Sequence, residues 1–199
     1  RNFENMQRII TREEQAKKTK RNQLIIGIIL ILLMAMSTVG YALSSRETKS
    51  DNNKIKYNGI EFIKNSDYWQ FTTQGYNFIT KYNPKETENV SVGFVYTKLK
   101  DYADEPLYFA GNFQEPIFEL KRNIYPFALR IQDACMQGVN CSLESLPKKN
   151  CSSDNVIVLQ ESYDKKESIH QEDKCIFISA NIENQTIYAD AFLFKILGI

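Results

Sequence analysis

The chain is poor in the residue types that usually carry catalysis and metal binding. Its 199 residues include one histidine, His170, which lies in a charged run without an apolar face and is predicted to be a solvated loop residue. A Ser-His-Asp arrangement would need that histidine in a cleft beside a nucleophile. A metal site needs several strong ligands, which one histidine and four separated cysteines do not supply. The sequence therefore indicates no catalytic residue, no metal site and no cofactor.

Phosphate-binding loops and an excess of one charge are also missing. Neither G-x-G-x-x-G nor G-x-x-x-x-G-K-[ST] occurs among the eight glycines. Lys+Arg number 25 against 24 Asp+Glu, so the net charge of +1 gives no argument for a nucleic-acid partner. The acids are numerous enough for a catalytic carboxylate pair, and Asp133 and Asp190, beside apolar stretches, are the candidates. Helix capping or solvent exposure is the competing interpretation.

Charge is absent from residues 24–43, which read LIIGIILILLMAMSTVGYAL. A helix of that length covers about 30 Å, the thickness of the hydrocarbon core of a bilayer. Tyr41 lies near one end, where an aromatic ring suits the membrane interface. A buried core helix is the alternative, but a soluble helix of this length normally shows a polar face. We therefore expect a single transmembrane helix.

The flanks of this span predict its orientation. Residues 1–23 carry seven bases and three acids, including Lys17-Lys18-Thr19-Lys20-Arg21 next to the span. Positive residues stay cytoplasmic, so the N-terminus should lie inside and the body outside the cell membrane. A cleaved signal peptide, cut after Ala42 in Gly40-Tyr41-Ala42, is the competitor and also places the body outside. We favour an uncleaved anchor, because residues 1–23, which precede the apolar span, are long for the n-region of a signal peptide and contain acids.

The remaining chain divides into a stalk and one extracytoplasmic domain. Residues 44–54 are polar and predict a flexible stalk. Residues 55–199 are long enough for one domain. With the stalk they hold 18 bases and 21 acids, a net charge of −3. In the basic tail before the span, Phe3, Met6 and Ile10 have helical spacing and predict a short helical extension of the anchor, with contact to a cytoplasmic partner helix as the alternative.

All four cysteines lie in the extracytoplasmic domain with the spacing C-x5-C-x9-C-x23-C. An even count in an oxidising compartment predicts two disulfides, for which three pairings exist. We prefer Cys135–Cys141, which closes a short loop, and Cys151–Cys175, which joins the starts of two predicted strands. Free buried thiols are the alternative.

Four N-x-S/T triplets also lie in this domain, and such triplets are candidates for N-glycosylation. They begin at Asn89, Asn140, Asn150 and Asn184. The chain is rich in Asn, Ser and Thr, so several triplets arise by chance. They are compatible with an external location without establishing it.

Alternating apolar residues predict several strands. Residues 55–82 predict a three-stranded meander in which Asn58-Gly59 is a tight turn or a bulge. Its lone Trp69 is interpreted as a core residue rather than a binding anchor. Residues 85–105 suit either a strand or a short helix. Residues 106–110, 155–160 and 174–180 predict buried strands, and residues 161–173 a charged loop.

Two segments have helical periodicity. In residues 114–136 the apolar positions step by three or four residues, and the opposite face carries Glu119, Arg122, Arg130 and Asp133. Pro126 should kink this helix or mark a second start. Residues 184–197 predict a closing helix. The order of elements predicts an α+β fold with a mixed sheet covered by helices, with a thioredoxin-like α/β fold as the alternative, and residues 106–160 would form a right-handed crossover.

Several segments together resemble a family of uncharacterised archaeal membrane proteins. They are STVGYAL at the end of the span, YNGIEF, LPKKNC followed by NVIVL, KCIFISA, and the terminal DAFLFKILGI. The family occurs in small-genome archaea of the DPANN group. The resemblance implies a single-pass anchor, an external α+β domain and paired cysteines, but no activity. The chain departs from it at FAGNFQEP.

Two function classes follow from these features. The favoured one is a non-catalytic, membrane-anchored binding or assembly module, an accessory subunit of an envelope complex. Its expected partners are the lipid bilayer and a protein in the membrane or envelope. The alternative is an envelope enzyme, either a carboxylate-dependent hydrolase or a redox-inactive thioredoxin-fold protein.

Overall fold

The computed structural model describes residues 12–44, 53–141, 145–162 and 166–199, which belong to two compact units, Arg1–Ser50 and Asp51–Ile199. In the first unit, helix α1 (Arg12–Ser44) contains the window Thr19–Met36, which is long and apolar enough to cross a membrane. An N-terminal signal sequence has the same composition. The apolar side chains from Leu24 to Met36 are exposed, so α1 is not a core helix. The predicted stripe in the basic tail lies outside the described residues.

The second unit begins with a four-stranded antiparallel sheet, here called sheet A. Its strands β1 (Lys54–Tyr57), β2 (Ile60–Asn65), β3 (Tyr68–Thr73) and β4 (Tyr76–Thr80) lie in chain order. The prediction of three strands was wrong because Asn58-Gly59 forms a tight turn that divides the first strand in two. Both turn residues have positive φ, 46° and 83°, which favours Asn-Gly.

A second sheet, sheet B, is mostly parallel. Its strands are β5 (Pro106–Ala110), β6 (Arg130–Asp133), β9 (Asn155–Glu161), β10 (Ser168–Glu172) and β11 (Cys175–Ala180), while β7 (Cys135–Met136) and β8 (Lys148–Lys149) form a separate pair. The order is β10-β11-β9-β5-β6, and only β10 runs antiparallel to its neighbour. The predicted charged loop thus contains a strand, on which the His170 ring stacks on Phe177 at 5.2 Å.

The predicted long helix is only half helical. Helix α2 (Gln114–Ile124) ends before Pro126, and the chain then forms β6, which pairs in parallel with β5. Proline removes a hydrogen-bond donor and disfavours helix in the residue before it. Ile131 fitted the helical period, but it lies opposite Leu107 in sheet B.

Helix α3 (Gln185–Leu197) and α2 lie between the two sheets. On one side the Phe194 ring lies 6.0 Å from Phe62 and 5.8 Å from Phe71, both in sheet A. On the other side α3 packs against β10 and β11. Eleven of its 13 residues are buried, which explains its apolar sequence on all faces. The α+β class is confirmed, with helices covered by a sheet on both sides. The thioredoxin-like alternative stays a prediction.

Two disulfides stabilise the outer face of sheet B. Cys135 is joined to Cys141 and Cys151 to Cys175, with Cα–Cα distances of 6.0 and 5.0 Å, so no cysteine is free. This is the preferred pairing. The second bridge ties the loop before β9 to the first residue of β11. Disulfides of this kind are typical of domains that fold in an oxidising compartment.

Candidate functional site

The most unusual group of polar residues is a buried pair of carboxyl groups between α2 and α3. Glu119 is 3% and Asp190 0% exposed. The backbone N–H of Lys81 donates to both, at 2.7 Å to Glu119 Oε1 and 3.1 Å to Asp190 Oδ2. Tyr82 N–H donates to the same Asp190 oxygen at 2.9 Å. The two carboxyl groups therefore meet at the backbone that follows β4.

Burial raises the pKa of both carboxyl groups. The charge of Glu119 raises the pKa of Asp190 further, whereas the Arg122 guanidinium, 3.5 Å from Glu119 Oε1, opposes the rise for Glu119. The second oxygen of Asp190, Oδ1, receives no hydrogen bond from any described residue. Of the two carboxyl groups, Asp190 therefore has the more strongly raised pKa and holds a proton more readily than Glu119.

The pair belongs to a set of side chains that seal the open edge of sheet A. Asn123 bonds both backbone groups of Ile79 in β4, through Oδ1 at 2.9 Å and Nδ2 at 2.7 Å. Arg122 also donates to the Ile79 carbonyl at 2.9 Å. The unpaired N–H and C=O groups of an exposed edge strand can bind a strand of another chain and lead to aggregation, and side chains that cover the edge prevent this. The carboxyl pair continues this cover to the N–H groups of Lys81 and Tyr82.

Sequence reasoning identified only half of this pair. Asp190 was a candidate, but Asp133 lies at the exposed end of β6 and forms an ion pair with Lys121. The prediction that Glu119 lies on a solvent-facing side of the helix was wrong, because sheet A covers that side. The sequence does contain one signal for the pair. Asp190 is the lone acid in the apolar sequence of α3, and a buried carboxyl group needs a polar partner, which is Glu119.

An exposed aromatic pair lies beside β10, at the edge of this strand that faces away from β11. Residues 91–97 run beside this strand, and Gly93 N–H donates to the Ile169 carbonyl at 2.7 Å. A Cβ at Gly93 would lie 2.9 Å from that oxygen, so this approach requires glycine. Phe94 and Tyr96 follow, 80% and 56% exposed, with their ring centres 5.9 Å apart. Neither ring is part of the core.

Gln171 of β10 holds the backbone segment that carries the aromatic pair, and its own N–H donates to the Phe94 carbonyl at 3.2 Å. Its Oε1 accepts from the N–H groups of Tyr96 and Thr97, each at 3.1 Å, and its Nε2 donates to the Asp173 carbonyl at 2.8 Å. The Tyr96 hydroxyl donates to the same carbonyl at 2.8 Å. The Tyr96 side chain, fixed in this way, loses little conformational entropy when a partner binds.

A polar cavity of about 550 Å³ opens beside Tyr96. We call it the acidic groove, because three carboxylates and one ammonium line it: Asp101, Glu105, Asp173 and Lys174. It lies where β5 and β9 begin, as Asn155 also lines it. A second cavity, of about 810 Å³, lies at the carboxyl ends of β5 and β6 and is lined by Phe113, Phe118, Lys121, Asp133 and Leu146, among others.

The four glycosylation candidates differ in accessibility. Asn89 and Asn140 are exposed. Asn150 is half-buried, and its Oδ1 accepts from the backbone and hydroxyl groups of the two following serines at 2.7–3.1 Å. Asn184 is also half-buried and donates to the Glu167 carboxylate at 2.9 Å. The geometry therefore separates two free acceptor sites from two structural asparagines.

Comparison of the chain with family models, curated proteins and solved structures gives no match. The resemblance to the archaeal envelope proteins therefore stays a prediction. An N-terminal apolar helix and two disulfides fit an extracytoplasmic domain that is membrane-anchored or secreted.

Proposed function

We propose that this chain is a membrane-anchored, extracytoplasmic binding module that serves as an accessory subunit of an envelope complex. The uncleaved anchor has its N-terminus in the cytoplasm. The observation that carries the binding role is the pair of exposed rings Phe94 and Tyr96, on a backbone segment that Gln171 holds, with Tyr96 beside the acidic groove. Rigid, exposed aromatic side chains are the commonest anchors of protein interfaces.

The chemistry of the groove indicates the kind of partner. Three carboxylates face one ammonium there, and residues 44–199 as a whole carry a net charge of −3. A protein segment with basic side chains next to an apolar or aromatic residue complements such a surface. Charge complementarity of this type raises the association rate and selects among partners.

The rival class, a carboxylate-dependent hydrolase, receives less support from the same contacts. Glu119 and Asp190 have the raised pKa values that catalytic acids often show. Both side chains are nevertheless shielded from solvent, and neither lines the acidic groove or the cavity beside Phe118. Their hydrogen bonds to Lys81 and Tyr82 favour a role in closing the sheet edge.

Site-specific crosslinking in native membranes tests the binding role. A photoreactive benzoylphenylalanine replaces Phe94 in one variant and Tyr125 in the control, because Tyr125 is an exposed ring on another surface. The proposal predicts one discrete adduct at position 94 only, with a yield that falls when Gln171→Ala releases the aromatic segment. Equal adducts at both positions, or none at position 94, would contradict it.

A further inference from the structure

The buried carboxyl pair joins three parts of the folded unit. Glu119 lies in α2 and Asp190 in α3, and both accept a hydrogen bond from the backbone N–H of Lys81, which follows β4. Asp190 also accepts from the N–H of Tyr82. We call the two carboxyl groups and these two N–H groups the carboxyl latch. Through it, the backbone after β4 is bonded to both helices at once.

The contact between the two carboxyl groups needs a proton. Glu119 and Asp190 lie within hydrogen-bonding reach of each other. An ionised carboxylate can only accept, so a hydrogen bond between two carboxyl groups forms only when one of them is protonated. Oδ1 of Asp190 has no hydrogen-bond partner among the described residues and is free to carry that proton.

The charges that face the latch also favour one proton. From α2, the Arg122 guanidinium lies 3.5 Å from Glu119 Oε1 and supplies one positive charge. The Glu115 carboxylate, also of α2, is exposed and paired with the Lys81 ammonium at 2.9 Å. From β3, the Tyr68 ring packs on the Arg122 guanidinium at 5.5 Å and adds no charge while its hydroxyl is protonated. One unpaired cation therefore faces two carboxyl groups.

The helix α3 brings no second cation to the latch. Its other titratable side chains, Tyr188 and Lys195, lie two and five positions from Asp190, which places them on other sides of the helix. If both carboxyl groups were ionised, the buried site would keep one uncompensated negative charge, and such a charge is costly away from water. A single proton on the pair makes the site neutral.

We propose that the carboxyl latch is a proton-dependent switch that opens and closes the end of the sheet A edge. While the pair holds a proton, the backbone at Lys81 and Tyr82 stays bonded to both helices. When the proton is lost, the two carboxylates repel each other. Arg122 holds Glu119, so the contacts that break are those to Asp190, which is the acceptor of the Tyr82 N–H. That N–H then faces water, whereas Lys81 keeps its bond to Glu119.

Amide hydrogen exchange, resolved by residue with NMR on the full chain in neutral detergent micelles, tests the switch. The Tyr82 amide is the reporter. The Ile79 amide is the control, because it lies on the same edge but donates to the neutral Asn123 side chain at 2.9 Å. Exchange is measured from about pH 5 to about pH 9, above the ordinary carboxyl pKa. Division by the exchange rate of an unfolded chain at each pH gives a protection factor free of direct hydroxide catalysis.

The proposal predicts that the protection of Tyr82 falls by up to about tenfold per pH unit over part of this range, because opening releases one proton. The protection of Ile79 should stay level. Protection of Tyr82 that does not change with pH, or a parallel decline of both amides, which indicates opening of the whole domain, overturns the proposal. This comparison is made within the wild-type chain and does not depend on the folding of a variant.

Two variants identify the group that titrates. Asp190→Asn should make the decline at Tyr82 shallower, because it removes the contribution of Asp190 and keeps an acceptor for the N–H. Glu115→Gln removes the exposed carboxylate beside the latch and should keep the wild-type decline. A decline that is unchanged in Asp190→Asn, or that disappears in Glu115→Gln, would assign the pH dependence to another group and overturn the switch.

Discussion

The carboxyl pair between α2 and α3 makes stability depend on pH in a direction opposite to that of most acidic groups. In the folded protein the pKa of Glu119 and that of Asp190 are raised, mainly by burial. The folded state therefore binds more protons than the unfolded state between the ordinary carboxyl pKa and the raised values. Their contribution to stability is complete below the ordinary pKa and is lost as the pH rises through the raised values.

The substitution Asp190→Asn removes the contribution of Asp190 to this dependence while it keeps the geometry. The Asn amide oxygen can still accept from Lys81 and Tyr82 N–H, and its amide group can donate to Glu119. A tenfold difference in proton affinity between the folded and unfolded states corresponds to about 1.4 kcal/mol. We expect the variant to match the wild type near pH 4 and to be more stable than the wild type near pH 8, by about 1.4 kcal/mol for every tenfold by which folding raises the proton affinity of Asp190.

Two further variants separate charge from hydrogen bonding. Asp190→Ala leaves the half-buried Tyr82 N–H without its acceptor, which costs about 1–3 kcal/mol at any pH, whereas the Lys81 N–H keeps its bond to Glu119. Asp133→Asn, at an exposed ion pair with Lys121, should change stability by less than about 1 kcal/mol. Urea unfolding of a soluble fragment of residues 53–199, with its disulfides intact, measures all of them. An Asp190→Asn fragment less stable than the wild type near pH 8 would refute the raised pKa of Asp190.

The remaining predictions concern the disulfides, the glycosylation candidates and one glycine. Peptide mapping without reduction should recover both disulfides, and four alkylatable thiols in native protein would contradict the oxidising compartment. Where the cell has N-glycosylation, mass spectrometry should find glycan on Asn89 and Asn140 but not on the other two candidates, and the reverse occupancy would refute the inference from exposure. Gly111→Ala should lower the unfolding temperature strongly, because its Cβ would lie 2.2 Å from the Leu159 carbonyl oxygen at a φ of 130°; an unchanged temperature would contradict that packing.

The strands of sheet A follow from local sequence, whereas their place in the fold does not. Alternating aromatic residues and Asn-Gly or Gln-Gly pairs are sufficient to predict a meander. The local sequence does not predict that this meander forms a sheet of its own, on the side of α2 and α3 that faces away from sheet B. A single sheet was expected, and with it a solvent-facing side for α2. The misplacement of Glu119 follows directly from that difference.

The boundary between α2 and β6 shows the second limit of sequence reasoning. Ile124, Phe127 and Ile131 have helical spacing, but a buried strand also accepts a single apolar residue such as Ile131. Parallel pairing with β5 makes the segment around Ile131 a strand. The paired residues Leu107 and Ile131 are 24 positions apart in the chain. Long-range pairing of this kind overrides local periodicity. The aromatic pair at Phe94 was missed for the same reason, since the register with β10 exposes it.

The central claim is that an anchored domain lies outside the membrane, and thiol labelling of intact cells tests it most directly. The four native cysteines are bridged, so an added cysteine is the single reactive thiol. We expect Ser50→Cys, in the predicted stalk, to react with a membrane-impermeant reagent in intact cells and to stay with the membrane fraction. Asn2→Cys, in the basic tail, should react only after lysis. Labelling of the tail variant in intact cells, or of the stalk variant only after lysis, would contradict this topology.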